Sequence, residues 1–127
     1  MNPTTPVKIL IADDEVYMLR LLELTFKKDG YEVISCRDGR EALATACTAL
    51  PQLIVLDIMM PGLDGLGALR MLKENPATEN IPVVVLSAKG HALTKIDAVL
   101  AGAVLFLAKP FSPNQLLDEV RKILHPT

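Results

Sequence analysis

The sequence predicts an α/β fold, one doubly wound parallel sheet of five strands with helices on both faces. Three observations lead there. Five short apolar runs recur through 127 residues, each followed by a stretch of helical spacing, which is the alternation that a parallel sheet with crossover helices requires. Half of the chain is hydrophobic and the net charge is only −2, so intrinsic disorder is excluded. The length suits one core. The expected unit is therefore a single domain over 1–127, folded from about 6 to 124, with a short N-terminal arm and a C-terminal tail.

The first run, residues 7–12 (VKILIA), leads into Asp13, Asp14 and Glu15. Residues 16–26 place Leu19, Leu22 and Phe26 on one helical stripe. Asp14 or Glu15 is a candidate partial cap for that helix, and the turn pair Asp29-Gly30 ends it. Glu32–Cys36 alternates more than the other runs, as an edge strand with one wetter face does. Asp38 and Glu41 form a capping box for a helix that Pro51 closes. Residues 53–56 (LIVL) end in Asp57, and a loop holding Pro61, Gly62, Asp64 and Gly65 opens a helix over 66–74. Residues 81–86 (IPVVVL) end at Ser87 and precede a helix over about 93–101. The fifth run, 104–107 (VLFL), ends in Ala108-Lys109-Pro110. Ser112, Pro113 and Gln115 then supply N-cap, first-position proline and capping glutamine for the last helix. Right-handed crossovers leave few strand orders. In the flavodoxin-like order 2-1-3-4-5, the alternating run Glu32–Cys36 falls at an edge.

Composition removes several function classes. With 13 basic against 15 acidic residues, the chain has no charge surplus for coating nucleic acid or a membrane surface. Mean hydropathy is +0.34, yet the longest apolar runs, 81–86 and 101–108, fall far short of the roughly 20 residues that span a bilayer. Cys36 and Cys47 are the only cysteines, and the first residues lack the basic-then-apolar pattern of a secretory leader. Both observations point to free thiols in a reducing cytoplasm. His91 and His125 have no ligand partners in the pattern and read as surface residues. Of the adjacent Met59 and Met60, at least one is expected to pack inward.

The chemistry gathers at the carboxyl ends of the runs. Asp13 and Asp14 follow the first, Asp57 ends the third, Ser87 ends the fourth and Lys109 follows the fifth. In an open parallel sheet those ends share one edge, where ligands bind at the switch in strand order. Three carboxylates from neighbouring strands would crowd there, and such a group needs a cation or shared protons. Oxygen ligands without His or Cys suit magnesium, or a similar hard cation such as manganese.

Four motifs stand in order: IADDE at 11–15, DIMMPGLDG at 57–65, LSAKG at 86–90 and GAVLFLAKPF at 102–111. Together they resemble the receiver domain of two-component and phosphorelay response regulators, including the chemotaxis regulators, over essentially the whole chain. The resemblance implies that Asp57 is the phosphoacceptor, that Asp14 and Asp57 bind Mg2+ directly, and that Asp13 does so through water. It makes the Met59 main-chain carbonyl a further metal ligand. Lys109 is implied to pair with phosphoryl oxygens and to precede a cis bond to Pro110. Ser87 is implied to hydrogen-bond the phosphoryl group and, with Phe106, to form a switch. The implied partners are a sensor histidine kinase or phosphotransfer protein, and an effector reading the surface of the fourth helix, fifth strand and fifth helix. A homodimer through that surface is a further expectation. The implied role is signalling, with no enzymatic activity beyond the domain's own phosphorylation and dephosphorylation.

The chain departs from many relatives at Val104 and Leu105, where acids are common, and at Ala108, where Thr is frequent. Its fourth helix is also unusually apolar, so a hydrophobic partner or self-association surface is expected on this face. Three other readings compete. A degenerate receiver would bind partners without phosphorylation, but Asp13, Asp14, Asp57, Ser87 and Lys109 are all present. A magnesium-dependent phosphatase would need an acid where Met59 stands. A flavin carrier would need a phosphate-cradling loop where Asp13 and Asp14 would repel the phosphate. The glycines Gly62, Gly65 and Gly67 fit no nucleotide-binding spacing and read as turn geometry.

Overall fold

Strand and helix alternate five times, as β1 (Lys8–Ala12), α1 (Val16–Lys28), β2 (Glu32–Cys36), α2 (Gly39–Ala49), β3 (Leu53–Asp57), α3 (Gly65–Glu74), β4 (Val83–Ala88), α4 (Ala92–Leu100), β5 (Leu105–Lys109) and α5 (Pro113–Leu124). The computed structural model describes residues 6–60, 64–88 and 92–126, so the expectations for Pro61, Gly62 and His91 lie outside the described residues. Every pairing is parallel, and the order is β2-β1-β3-β4-β5. This is the doubly wound, flavodoxin-like sheet that the sequence predicts. Among the described residues no helix is long and apolar enough to cross a membrane.

Strands β3, β4 and β5 run past their apolar segments. Asp57 still faces Leu86 in register, Ser87 faces Ala108, and Ala88 faces Lys109. The ladder continues because the Ile58 N–H donates to the Leu86 carbonyl at 2.9 Å, and backbone pairing does not require an apolar side chain. At its start β4 is shorter than the apolar run. Pro82 has no N–H to give, and the Ile81 N–H turns back to the Thr78 carbonyl at 3.0 Å.

Side-chain alternation divides the sheet into two cores. Leu10, Ala12, Ile54, Leu56, Val83 and Val85 pack with Ala42, Ala46, Leu69 and Ala98 of α2, α3 and α4. Ile9, Ile11, Leu53, Val55, Val84 and Leu86 pack with Leu19, Leu22, Phe26, Leu116 and Val120 of α1 and α5. Caps fix the helix starts: the Glu41 N–H donates to Asp38 Oδ1 at 2.8 Å and the Gly67 N–H to Asp64 Oδ1 at 2.8 Å, while the Gln115 N–H donates to Ser112 Oγ. The far end of α5 is tied down too. Arg121 binds Asp29 with two nitrogens, and His125 stacks on Tyr31, whose hydroxyl lies 3.3 Å from Nε2.

Gly65 corrects one expectation. It is not a turn residue in a left-handed conformation; it is a point of close approach, where a Cβ would press on the Asp57 carbonyl and lie 2.6 Å from Ile58 Cα. Gly65→Ala is expected to cost about 2 kcal/mol or more, because backbone must move to admit the methyl group; thermal unfolding measures it. Both cysteines are free. Burial pushes the Cys36 thiol up to about 11, whereas Cys47 is exposed. Iodoacetamide should therefore modify Cys47 alone in the native protein and both after unfolding, as read by intact mass.

Candidate functional site

The period-two geometry of the strands assembles this site. Asp13 continues the alternation of Ile9 and Ile11, Asp57 that of Leu53 and Val55, and Lys109 that of Leu105 and Leu107, all members of the α1–α5 core. The three charged residues therefore emerge on one face at the carboxyl edge. Ser87 follows Val83 and Val85 onto the opposite face, the one that Phe106 shares. Asp13 and Asp57 sit on neighbouring strands, but β5 lies two strands from β3. At roughly 4.8 Å per strand that gap is about 10 Å, which only a long side chain crosses. Lysine crosses it.

The Lys109 Nζ donates to Asp13 Oδ2 at 3.0 Å and to Asp57 Oδ2 at 3.2 Å. Asp13 is fully buried and Asp57 nearly so. The other oxygen of each is held by the main chain: the Met59 N–H donates to Asp57 Oδ1 at 3.0 Å, and the Glu15 N–H to Asp13 Oδ1 at 2.9 Å. Asp14 completes the group from an exposed position, with ligand oxygens of Asp13, Asp14 and Asp57 all within 4.8 Å of one another. Burial pushes the Asp57 carboxyl up to about 6, with the Asp13 charge adding to the rise, against the Met59 N–H and Lys109. At Lys109 burial disfavours the charge, but the Asp13 hydrogen bond and the charges of Asp57 and Asp13 outweigh it, and its pKa is raised.

The other expected residues lie around this centre. Met60 is buried and Met59 exposed, so one of the pair does pack inward. Ser87 is fully buried at the end of β4, and Phe106 is half-buried against the core shared with α4. The Lys109–Pro110 peptide is cis. His125 is exposed, far along the chain from any carboxylate ligand. Of the apolar residues expected on α4, Ile96, Val99 and Leu100 are exposed, as is Val104 beyond its end, whereas Ala98 is fully buried in the core. Leu105 does not join the exposed residues, because strand alternation turns that side chain into the α1–α5 core. The sequence reading missed Glu15. Taken there as a partial cap, it makes no cap hydrogen bond and instead pairs with Lys109 at 3.4 Å; a glutamate where shorter cap residues are preferred was the available signal.

Fold and site define a class: a small doubly wound α/β domain with a carboxylate cluster and one lysine at the switch in strand order. The family model of the response regulator receiver domain matches residues 9–121. The transcriptional regulatory protein ResD of Bacillus subtilis is 36% identical over 124 residues, covering 98% of this chain and 50% of its own length. The response regulator PleD of Caulobacter vibrioides is 41% identical over 116 residues, 91% of this chain and 26% of that protein. The chain thus spans about half the length, or less, of the curated relatives it matches. Among solved structures, a response regulator of Chloroflexus aurantiacus superposes with a TM-score of 0.90 at 37% identity, covering 94% of this chain and 98% of that one. The chemotaxis response regulator CheY4 of Vibrio cholerae gives 0.88 at 31% identity, covering 94% of this chain and all of the other. The chain belongs to the response regulator receiver domain family of two-component signal transduction.

The raised Asp57 carboxyl has a consequence for stability. Between the usual carboxylate range near 4 and about 6, the folded protein keeps a proton at Asp57 that the unfolded chain has lost, so stability falls as pH rises through that window. Asp57→Asn removes this dependence. In chelator, near neutral pH, the variant is expected to melt a few degrees above the wild type, with the gap closing as pH falls below about 5. Calorimetry across pH checks it, and parallel curves would contradict the assignment.

Proposed function

We propose that this receiver domain accepts a phosphoryl group on Asp57 from a cytoplasmic sensor histidine kinase or a phosphotransfer protein, and that the modified domain is read by an effector. The observation that carries the reading is the division of labour on the Asp57 carboxylate. One oxygen is tied to the Met59 N–H at 3.0 Å, while the other faces the Lys109 ammonium at 3.2 Å. The acceptor is thus oriented, and a cation waits where charge will arrive.

The clustered carboxylates of Asp13, Asp14 and Asp57 outnumber the one ammonium of Lys109, and their all-oxygen donor set fits Mg2+ or Mn2+. Asp14 and Asp57 would hold the ion directly, Asp13 through water, and the Met59 main-chain carbonyl would add a ligand. When bound, the ion supplies neutralisation of the carboxylates and of the transferring phosphoryl group.

The chain's own groups do the rest. Asp57 Oδ2 attacks phosphorus, the phosphorus–nitrogen bond of the phosphohistidine breaks, and its electron pair stays with the departing imidazole. Lys109 keeps its proton, held by the surrounding carboxylates, and its ammonium follows the charge from carboxylate to phosphoryl oxygen. The Ser87 hydroxyl donates to a second phosphoryl oxygen. Ser87 and Phe106 alternate onto the same face of the sheet, beside α4, so movement of one makes room for the other. That coupling carries the modification to the α4–β5–α5 surface, where an effector or a second copy binds; it is a two-state element biased by one charge change. Asp13, Asp14, Asp57, Ser87 and Lys109 together favour this over a receiver that works without phosphorylation.

With Mg2+ and a small phosphodonor, the wild type is expected to gain one phosphoryl group by intact mass, and Asp57→Asn to gain none. Chelation of the metal should lower the wild-type rate by more than about tenfold. A stable acyl phosphate on Asp57→Asn would sink the reading.

A further inference from the structure

Asp13 and Asp57 do not exhaust Lys109. A third carboxylate, from Glu15, approaches the same Nζ at 3.4 Å. Glu15 occupies the N-cap of α1, where a short oxygen side chain normally satisfies the free N–H groups of the first turn. Its side chain forgoes that bond and reaches instead to a residue 94 positions away. The backbone beneath it is pinned, with its N–H donating to Asp13 Oδ1 at 2.9 Å and its carbonyl accepting from the Leu19 N–H at 3.1 Å. Only the side chain, 61% exposed, is free to move.

An ammonium has three N–H donors, and three carboxylates claim them at 3.0, 3.2 and 3.4 Å. A phosphoryl group arriving at Asp57 Oδ2 needs donors from the same nitrogen, so one carboxylate must yield. Releasing Asp13 would leave a fully buried charge unpaired. Asp57 is itself the acceptor. Glu15 makes the longest of the three contacts and the most exposed, the kind of ion pair that water replaces at least cost.

We propose that Glu15 is a positioning and selectivity residue of the phosphoacceptor site. In the resting domain it draws the Lys109 ammonium toward the mouth of the site, and it gives up that contact to the phosphoryl oxygens on transfer. Until then its charge at the mouth selects against small anionic phosphodonors. The inference rests on Asp57 being the phosphoacceptor. With acetyl phosphate, Asp57 Oδ2 bonds to phosphorus, the bridging P–O bond breaks, acetate leaves with the electron pair, and Lys109 stays protonated.

The test compares a dianionic donor, acetyl phosphate, with a monoanionic one, phosphoramidate, on the full chain at saturating Mg2+. Because the chain has no Trp, intact mass follows the reaction. Glu15→Gln is expected to raise the second-order rate constant with acetyl phosphate about three- to tenfold, the effect of removing one like charge from a partly solvated rim. The gain with phosphoramidate should be smaller, and the ionic-strength dependence flatter. Glu74→Gln, a surface charge on α3, should stay within about twofold of the wild type. The proposal is overturned if Glu15→Gln stays within about twofold of the wild type with both donors, or accelerates both equally. Failure of the wild type to take a phosphoryl group from either donor would overturn the Asp57 assignment, and this inference with it. An active wild type with an indifferent Glu15→Gln removes this inference alone.

Discussion

The arrangement depends on one lysine spanning the sheet. Lys109 stands at the end of an edge strand, yet its ammonium meets carboxylates on β1 and β3, which brings residues 96 and 52 positions apart into one contact group. Two buried carboxylates on neighbouring strands would otherwise confront each other across the switch in strand order, with burial holding both away from water. One ammonium against that many acids does not balance the charge. The remaining imbalance makes the centre receptive to a cation and keeps the lysine protonated.

Much of this was legible in the sequence, for a physical reason. A strand buried on both faces reads as an apolar run, so the first polar residue after each run marks the carboxyl edge of the sheet. Asp13, Asp57, Ser87 and Lys109 were all found that way. The period of two then assigns faces without coordinates: Asp57 shares the parity of Leu53 and Val55, and Ser87 that of Val83 and Val85. What resisted reading was contact that no local pattern encodes. Glu15 looks like a helix start because its neighbours do, and its partner lies at the opposite end of the chain. Gly65 resembles a turn glycine, although its constraint comes from the backbone of Asp57 packed against it. Leu105 was grouped with Val104 because relatives carry acids at both positions, but its side chain alternates into the α1–α5 core.

The division of faces also separates two tasks. Asp13, Asp57 and Lys109 hold charge above the α1–α5 core, whereas Ser87 and Phe106 lie on the side of α2, α3 and α4. A phosphoryl group on Asp57 would sit among the first set and be met by the Ser87 hydroxyl at the end of the neighbouring strand β4. In the proposed switch, the charged centre keeps its form while the exposed apolar residues of α4 and Val104 respond.

The fastening of α5 at its far end bears on how such a response is delivered. Arg121 on Asp29 and His125 on Tyr31 clamp the last turns of the helix to the end of α1 and the start of β2. Its first turn follows directly from Lys109 and Pro110. A displacement entering through β5 therefore acts on the amino end of a lever whose fulcrum is already fixed. In the proposed switch such a fastening favours a swing of the helix over a slide, which would turn a small shift beside the carboxylates into an angular change at the surface.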